Sequence, residues 1–396
     1  MKNWKKYFKI FESNPNWTYL DTAATALKPD CLAQRLTQFY DREYATVNRA
    51  IYKESLLATK YFAAVKEKLA SLFNCLPHEL IWTKGTTEGL NLLAHTLGEK
   101  LKEGDAILIS EAEHHSNIVP WQLLKERKNI QLKVFKVNAF GEVDLESFIQ
   151  ELTEDVKIVS IPHVSNVLGT IFPIEKIAQL VHAKNGILIV DGAQAPFHLN
   201  IDFKALDVDF YVFSAHKLYG PNGLGALYGK EHLLDSIGPF LGGGDMIETV
   251  TFEKTTFQAP PLKFEAGTPN IADVIGFGSV LEFLSTLSLE EIINHEKHLE
   301  TLLIEELKNF PRVKLLGKAK EKIGITSFVI DGIHPMDLAL FLDSKNIAIR
   351  SGHLCAQPLL KKFGVNQVAR VSFGLYNHEE DVMKFISALK KGIELF

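Results

Sequence analysis

The residues Asp-Phe-Tyr-Val-Phe-Ser-Ala-His-Lys (209–217) place a lysine directly behind an apolar run. The run Asp209–Phe213 is nearly all apolar, which is typical of a strand buried on both faces of a parallel sheet. Such sheets bind their ligands at the carboxyl ends of the strands, where Lys217 follows. Most lysines are solvated surface groups, but a buried amine can form a Schiff base with a carbonyl group. Lys217 is therefore a candidate catalytic residue.

Similar patterns extend outward from this strand, from about residue 80 to residue 230. Short apolar runs alternate there with helical patterns, which predicts an α/β fold with a mainly parallel, doubly wound sheet. The other predicted strands are Glu79–Thr83, Ala106–Ser110, Gln131–Val137, Lys157–Pro162, Ile187–Asp191 and Gly225–Tyr228, and the predicted helices between them are Thr87–Leu97, Asn117–Lys128, Leu145–Glu151 and Ile174–Lys184.

The last third of the chain predicts a second, smaller α+β domain. A Gly/Pro-rich stretch from Gly238 to Pro269 ends the alternation, and two long helical patterns follow at Ala272–Leu287 and Leu289–Asn309. The length of 396 residues allows two or three domains. We predict a large domain over residues 15–265 and a small domain formed by residues 1–14 and 266–396.

Composition excludes several classes of protein. The hydrophobic fraction of 46% and the net charge of −5 are ordinary for a globular protein and argue against nucleic acid as a partner. No apolar run reaches the roughly 18 residues of a membrane span, and the N-terminus lacks the pattern of a secretory signal. Three cysteines, Cys31, Cys75 and Cys355, cannot form a disulfide framework in so long a chain. A cytoplasmic protein without membrane contact is predicted.

Two further motifs follow predicted strands of the large domain and suit a phosphorylated cofactor. Gly-Thr-Thr-Glu-Gly (85–89) lies before a helix, where backbone N–H groups and threonine hydroxyls can bind an anion. Asp191 ends another buried strand, and its carboxylate could hold a pyridine nitrogen protonated, as pyridoxal phosphate chemistry requires. An ordinary capped helix start and a turn aspartate are the alternatives for these two motifs.

Histidine and asparagine motifs also follow predicted strands. His114 and His115 are adjacent, so they do not share a helix face, and no third ligand is suitably spaced. We therefore predict no metal site and expect an imidazole stacked on a planar cofactor, with ordinary loop histidines as the alternative. Asn166 could donate to a substrate carboxylate or to a cofactor phenolate.

The small domain adds two arginines and a cysteine. Arg370 lies among apolar residues in a strand pattern, and because an unpaired buried guanidinium is costly, it is expected to meet an anion such as a substrate carboxylate. Arg350-Ser-Gly-His-Leu-Cys355 ends another strand in a glycine-containing turn. Cys355 could have thiolate character beside His353 and Arg350, whereas a small buried side chain is the ordinary role of a cysteine.

Together these motifs resemble those of class V aminotransferase-fold enzymes, and most closely the SUF-type (group II) cysteine desulfurases, also called cysteine desulfurase/selenocysteine lyase proteins. The resemblance spans nearly the whole chain and implies a fold type I, aspartate aminotransferase-like enzyme that depends on pyridoxal 5'-phosphate. It rests on residues 85–89, 113–121, 163–170, 191–194, 214–221, 264–270 and 350–358.

The resemblance implies a homodimer that converts L-cysteine to L-alanine and keeps the sulfur as a persulfide for iron–sulfur cluster assembly, with L-selenocysteine as a second substrate. Lys217 would bond the cofactor, His114 would stack on its ring, and Cys355 would accept sulfur. The other implied contacts are Thr86, Thr87, Ser214, His216 and the other subunit's Thr268 to the phosphate, Asp191 and Gln194 to the ring, and Asn166, Arg370 and Arg350 to the substrate.

Three positions depart from the family pattern. Leu354 replaces the second histidine of Gly-His-His-Cys, and Asn48 replaces the histidine of Val-His-Arg. Met336 stands where relatives that deliver sulfur to a zinc-containing partner have a histidine. Met336 weakens the prediction of a zinc-containing, SufU-like acceptor and leaves a SufE-like acceptor as an equal alternative.

Two other functions stay open at the level of sequence. Another class V enzyme, such as an aminotransferase, a kynureninase-like hydrolase or a racemase, would share Lys217 and Asp191 but would have no use for Cys355. A non-enzymatic sulfur-assembly protein could use the same fold. The intact Lys217 and Asp191 argue against that second alternative.

Overall fold

A seven-stranded sheet forms the centre of the computed structural model, which describes residues 3–396. Residues 1 and 2 of the predicted small domain lie outside the described residues. The spatial order is β1-β7-β6-β5-β4-β2-β3, and only β7 runs against the other strands. The strands are β1 (Leu80–Thr83), β2 (Ala106–Ser110), β3 (Gln131–Phe135), β4 (Val156–Pro162), β5 (Ile187–Asp191), β6 (Phe210–Ser214) and β7 (Gly225–Gly229).

The α/β fold with a mainly parallel sheet is confirmed, and each predicted strand of the alternating region is present within a few residues. Strands β2, β5, β6 and β7 are buried along their length or nearly so, which explains their continuous apolar runs. The longer helices of the first part of the chain are α1 (Asp30–Gln38), α2 (Lys53–Phe73), α3 (Thr86–Thr96), α4 (Val119–Lys128), α5 (Leu145–Glu151) and α6 (Ile174–His182), and three short helices lie at Ile10–Ser13, Phe203–Leu206 and Glu231–Ser236.

The reversed strand β7 brings the start of α3 against the sheet. A Cβ atom at Gly225 would lie 2.6 Å from the Gly85 Cα atom and 2.5 Å from the Phe213 carbonyl oxygen. Only glycine permits this approach, and Gly85 itself has φ +146°, a conformation that L side chains rarely adopt. The N-terminus of α3 therefore lies beside the end of β6, which leads to Lys217.

A four-stranded antiparallel sheet follows in the C-terminal part, in the order β8-β9-β11-β10. Its strands are β8 (Val313–Leu316), β9 (Ile325–Ile330), β10 (Arg350–Gly352) and β11 (Val368–Ser372). The helices of this C-terminal part are α7 (Ile271–Ser285), α8 (Leu289–Leu307), α9 (Pro335–Asp343), α10 (Gln357–Lys362) and α11 (Glu379–Leu395). Apolar residues of α8, α9 and α11 form one core with this sheet.

Helix α7 packs against α1 and α2 of the N-terminal part of the chain. The boundary between the large and the small domain, placed between residues 265 and 266, stays a prediction. Within residues 3–396, no single helix is long and apolar enough to cross a membrane. Helices α7 and α8 reach the necessary length and apolar composition only when taken together, and they are bent by 82° relative to each other.

Candidate active site

A cavity of about 550 Å³ lies at the carboxyl ends of the large sheet's parallel strands and is closed on one side by the small sheet. Every predicted site residue except Thr268 lines it, so residues that are far apart in sequence meet in one place. Thr268 is exposed on the surface of the chain. The residues supplied by the large domain are Thr86, Thr87, His114, Asn166, Asp191, Gln194, Ser214, His216 and Lys217, and the small sheet and its loop supply Arg350, Cys355 and Arg370.

One end of the cavity is a set of hydrogen-bond donors suited to an anion. The Thr86 backbone N–H donates to the Ser214 Oγ atom at 2.9 Å, and the hydroxyl oxygens of these two residues lie 2.9 Å apart. Thr86 is the first residue of the 11-residue helix α3, and Ser214, the last residue of β6, contacts it there, where the backbone N–H groups and the helix dipole favour negative charge. Thr87 and His216 complete this end.

Lys217 lies between that anion site and a buried carboxylate. Burial lowers the pKa of Lys217 to about 8, against the opposing charge of Asp191. Asp191 is 5% exposed, and its Oδ1 atom accepts from the Ala193 N–H at 2.9 Å. Burial raises the pKa of Asp191, so this carboxylate lacks sufficient compensation from the protein and is suited to a cationic partner.

The His114 ring has a defined protonation state. Its Nδ1 atom accepts from the Ser116 backbone N–H at 3.1 Å and lies 2.8 Å from the Ser116 Oγ atom. Burial, together with the nearby charge of Lys217, lowers the pKa of His114 to about 4. The imidazole is therefore neutral near pH 7, with its remaining proton on Nε2.

Arginine and asparagine side chains occupy the side of the cavity that faces the small sheet. Arg370 is 3% exposed and donates from NH2 to the Asp21 Oδ1 atom at 3.0 Å and from NH1 to the Asn166 carbonyl oxygen at 2.8 Å. Its Nε atom is buried without a partner. Arg350 is directly opposite Arg370 in the antiparallel pairing, an arrangement of like charges that an anion would relieve.

Cys355 lies on a strained loop at the edge of this cavity. Leu354 and Cys355 have φ values of 52° and 53°, which are unusual for residues other than glycine. The loop is held by the Asn166 side chain, whose Nδ2 atom donates to the Leu354 carbonyl oxygen at 2.8 Å, and by the His115 N–H, which donates to the Cys355 carbonyl oxygen at 2.7 Å. His353 Nδ1 accepts from the Cys355 N–H at 3.1 Å.

The other two cysteines do not line the cavity. Burial raises the pKa of Cys31, and burial raises that of Cys75 to about 12, so both thiols stay protonated near pH 7. Cys355 is the cysteine that shares a cavity with Lys217.

Sequence reasoning missed Asp21, which pairs with Arg370, and His115, whose Nε2 atom accepts from the Gln357 N–H at 3.2 Å. Asp21 lies in a stretch that resembles the family, but the pairing joins residues 349 positions apart and has no local signal. Lys28, which donates to the His216 carbonyl oxygen at 2.9 Å, was missed for the same reason.

The donors in the cavity fit pyridoxal phosphate. Hydroxyl and backbone donors suit the phosphate, the Lys217 amine suits the aldehyde carbon, and the under-compensated Asp191 carboxylate suits a protonated pyridine nitrogen. Within residues 3–396, no group of three or more His, Cys, Asp or Glu side chains could hold a metal ion.

Known proteins of the same kind match the chain along almost all of its length. The model of the family described as aminotransferase class-V matches residues 18–385. A cysteine desulfurase of Serratia proteamaculans (strain 568) is 42% identical over 376 residues, which are 94% of this chain and 92% of that protein.

Solved structures agree with this result. The apo structure of a cysteine desulfurase from Thermococcus onnurineus NA1 has a TM-score of 0.96 and 33% identity and covers 100% of this chain and 99% of its own. The structure of the cysteine desulfurase CsdA (S-sulfonic acid) from Escherichia coli has a TM-score of 0.93 and 35% identity, with coverage of 99% and 98%. The chain therefore belongs to the class V aminotransferase family and, within it, to the cysteine desulfurases.

Proposed function

We propose that this chain is a cytoplasmic cysteine desulfurase that releases L-alanine from L-cysteine and keeps the sulfur as a persulfide on Cys355. The observation that carries the proposal is the position of Cys355, which lines the same cavity as Lys217 and Arg370. The other class V reactions need the lysine but have no use for a thiol at this place. The family membership supports an enzyme of this type.

Pyridoxal phosphate is the cofactor of this family, and when bound it supplies an electron sink for the α-carbon of an amino acid. Lys217 would bond its aldehyde carbon, Asp191 would face its ring nitrogen and Gln194 its phenolic oxygen. The neutral ring of His114 would stack on it. Thr86, Thr87, Ser214 and His216 would hold its phosphate.

Lys217 is suited to carry the α-proton of the substrate. Because burial lowers its pKa to about 8, a useful fraction of the amine is neutral near pH 7 and can accept a proton on Nζ. The substrate carboxylate would be held by Arg370, Arg350 and Asn166, which line the same side of the cavity. In this orientation the substrate would lie between Lys217 and the Cys355 loop.

Cys355 then receives the sulfur atom. Its Sγ atom forms a bond to the substrate sulfur as the bond between that sulfur and the β-carbon breaks, and the carbon skeleton leaves as alanine. The acceptor must reach inward for sulfur and outward for delivery, which a loop with a flexible Gly352 and few tethers permits.

The test compares Cys355→Ala with Cys31→Ala, a control that removes a thiol outside the cavity. Each holoenzyme is supplied with L-cysteine and a thiol reductant, and alanine and sulfide are measured. Cys355→Ala is expected to lose sulfide production while it keeps the visible absorbance of the bound cofactor, and Cys31→Ala is expected to match the unmodified chain. Sulfide production that survives in Cys355→Ala contradicts the assignment.

Selenocysteine separates the role of the thiol from that of the cofactor site. Selenium is the better leaving group, so Cys355→Ala is expected to retain more of its activity on L-selenocysteine than on L-cysteine. A variant equally inactive on both substrates would show that Cys355 is required for more than sulfur transfer.

A homodimer is part of the proposal, with Thr268 reaching the phosphate site of the other subunit. Support comes from the exposed position of Thr268 and from exposed apolar side chains that cluster in the segment between α1 and α2 and at the start of α2. This cluster contains Tyr40, Tyr44, Ile51, Tyr52, Leu56 and Leu57. Sedimentation equilibrium tests the dimer, and a monomer that binds the cofactor fully contradicts it.

The sulfur is proposed to enter iron–sulfur cluster assembly through a SufE-like acceptor. Met336 lines the cavity and is 52% exposed, and Leu340, one turn further along α9, is 65% exposed. These side chains offer an apolar contact beside the cavity and no zinc ligand. Sulfur transfer to purified SufE-like and SufU-like proteins separates the two acceptors, and Leu340→Asp should weaken transfer to the true one without changing alanine release in the presence of a reductant.

A further inference from the structure

Lys28 is a half-buried lysine beside the anion site, and the mechanism above does not use it. Its Nζ atom donates to the His216 carbonyl oxygen at 2.9 Å and lies 3.5 Å from the Thr25 Oγ1 atom. Among residues 3–396, no carboxylate lies within ion-pair distance of this amine. The ammonium group is therefore held by neutral oxygens alone.

An ammonium group removed from water without a counter-charge is costly. Here burial lowers the pKa of Lys28 to about 8. The neighbouring residue His216 lines the cavity with Thr86, Thr87 and Ser214, the donors for a dianionic phosphate. A phosphate bound at the anion site would therefore supply the negative counter-charge that Lys28 lacks.

Thr25 connects the lysine to the His216 ring. The Thr25 Oγ1 atom lies 3.1 Å from His216 Nδ1 and 3.4 Å from the His216 carbonyl oxygen. The Thr25 hydroxyl has a single proton to donate, and we assign it to the shorter of these two contacts, the one with Nδ1. Burial and the charges of Lys217 and Lys28 lower the pKa of His216 to about 4, so the ring is neutral. Its proton then lies on Nε2, the remaining donor for an anion in the cavity.

We propose that Lys28 is a positioning residue for the cofactor phosphate, balancing its charge and, through Thr25, fixing the His216 ring with Nε2–H available to it. The inference rests on the pyridoxal phosphate cofactor and on no step of sulfur transfer. The prediction is specific for the phosphate group, because Lys28 contacts the carbonyl oxygen of His216, one of the proposed phosphate donors, and does not itself line the cavity.

The experiment measures the dissociation constants of pyridoxal phosphate and of pyridoxal, which lacks the phosphate, by absorbance titration of the apoenzyme. Lys28→Met removes the charge with little change in size, Lys28→Arg keeps it, and Lys176→Met removes an exposed charge on α6 as a control. The preference for pyridoxal phosphate over pyridoxal is expected to fall at least about tenfold in Lys28→Met, the size of one lost charge-assisted interaction. Lys28→Arg should restore most of it.

An equal loss of affinity for both compounds, or no loss for either, would overturn the proposal, because a lysine that only supports the local fold has no preference for the phosphate. Should Lys28→Met fail to fold, Thr25→Val carries the test, since it breaks the connection to His216 and retains the ammonium group. An unchanged preference in Thr25→Val would then refute the proposed connection. No cysteine is used, so either result leaves the desulfurase proposal unaffected.

Discussion

Replacement of Arg370 by methionine is expected to reduce both stability and substrate binding, for reasons that can be separated. The guanidinium group is 3% exposed, donates to the Asp21 Oδ1 atom at 3.0 Å and to the Asn166 carbonyl oxygen at 2.8 Å, and joins the small sheet to two segments of the N-terminal half. Methionine retains much of the side-chain length and removes the charge and all of its donors.

The cost in stability follows from what is left behind. Removing one partner of a buried ion pair typically costs about 3–5 kcal/mol, because the other charge stays buried without compensation. Burial already raises the pKa of Asp21, and Arg370 is the main group that opposes this. In the variant the Asp21 carboxyl therefore takes up a proton more readily when folded than when unfolded. The destabilisation caused by the unpaired Asp21 carboxylate is therefore greatest at high pH, and it decreases as the pH falls and the carboxyl group is protonated.

The assay is urea unfolding of the holoenzymes at pH 5 and pH 8, at equal protein and cofactor concentrations. Because the pKa of Asp21 is raised from the ordinary aspartate value, Arg370→Met should be destabilised more at pH 8 than at pH 5. Asp21→Asn in the same chain removes the orphaned charge, so the double variant should regain stability relative to Arg370→Met at pH 8. The KM for L-cysteine supplies the second readout, and Arg370→Lys, which keeps the charge but not the two-pronged donor, should raise it by about tenfold.

Two results would refute this reasoning. A stability loss under about 1 kcal/mol in Arg370→Met would mean that the pair with Asp21 is not a compensated buried pair. An unchanged KM in Arg370→Lys, with the stability effect intact, would mean that Arg370 has a purely structural role and that Arg350 and Asn166 bind the carboxylate.

The remaining predictions concern two histidines. His115→Ala removes the acceptor for the Gln357 N–H and is expected to speed alkylation of Cys355 by iodoacetamide about fivefold, which corresponds to the loss of roughly 1 kcal/mol. In His115→Gln the Oε1 atom can accept instead, so the alkylation rate should stay near that of the unmodified chain. Equal rates in both variants would show that this hydrogen bond does not hold the Cys355 loop. His198 contacts Glu296 at 2.6 Å; burial tends to lower the pKa of His198, but the Glu296 carboxylate outweighs it and raises the pKa. The pair therefore stabilises the fold most below the ordinary histidine pKa of about 6.5, and this stabilisation is lost as the pH rises through the higher pKa of His198 in the folded state. In urea titrations His198→Gln should therefore be more destabilising at pH 6 than at pH 9. A loss of stability that does not depend on pH would contradict the pairing.

The sequence predicts those parts of the site that local rules determine. A strand buried on both faces is apolar, and the chain turns where that strand ends. The apolar runs therefore predict that Ser214, Lys217 and Asp191 lie at the carboxyl ends of strands. The parallel sheet then brings such ends together at one edge. This rule predicts that the anion site, the amine and the carboxylate share one cavity.

What could not be predicted depends on contacts between distant segments. The reversed direction of β7 and the close approach of Gly225 to Gly85 that accompanies it are not revealed by any local pattern. Likewise, Lys28 is one of many lysines in the sequence, and its surroundings alone distinguish it. Thr268 is a residue whose predicted role needs a second copy of the chain, so neither the sequence nor one subunit can bring it to the cavity.

The departure at Leu354 has a physical consequence for the loop that carries Cys355. Leu354 is 8% exposed and belongs to the main hydrophobic core, so lifting the loop would expose a leucine side chain at a cost of about 1.5–3 kcal/mol. Leu354 and Cys355 both have positive φ values, and release from such conformations returns of order 1–3 kcal/mol each. For the two residues together this release is about 2–6 kcal/mol, which is opposite in sign to the cost of exposing Leu354 and at least as large. The docked loop is thus held mainly by the hydrogen bonds from Asn166 and His115, and the apolar Leu354 anchor, which stands where the family pattern has a histidine, does not lock the Cys355 loop in place.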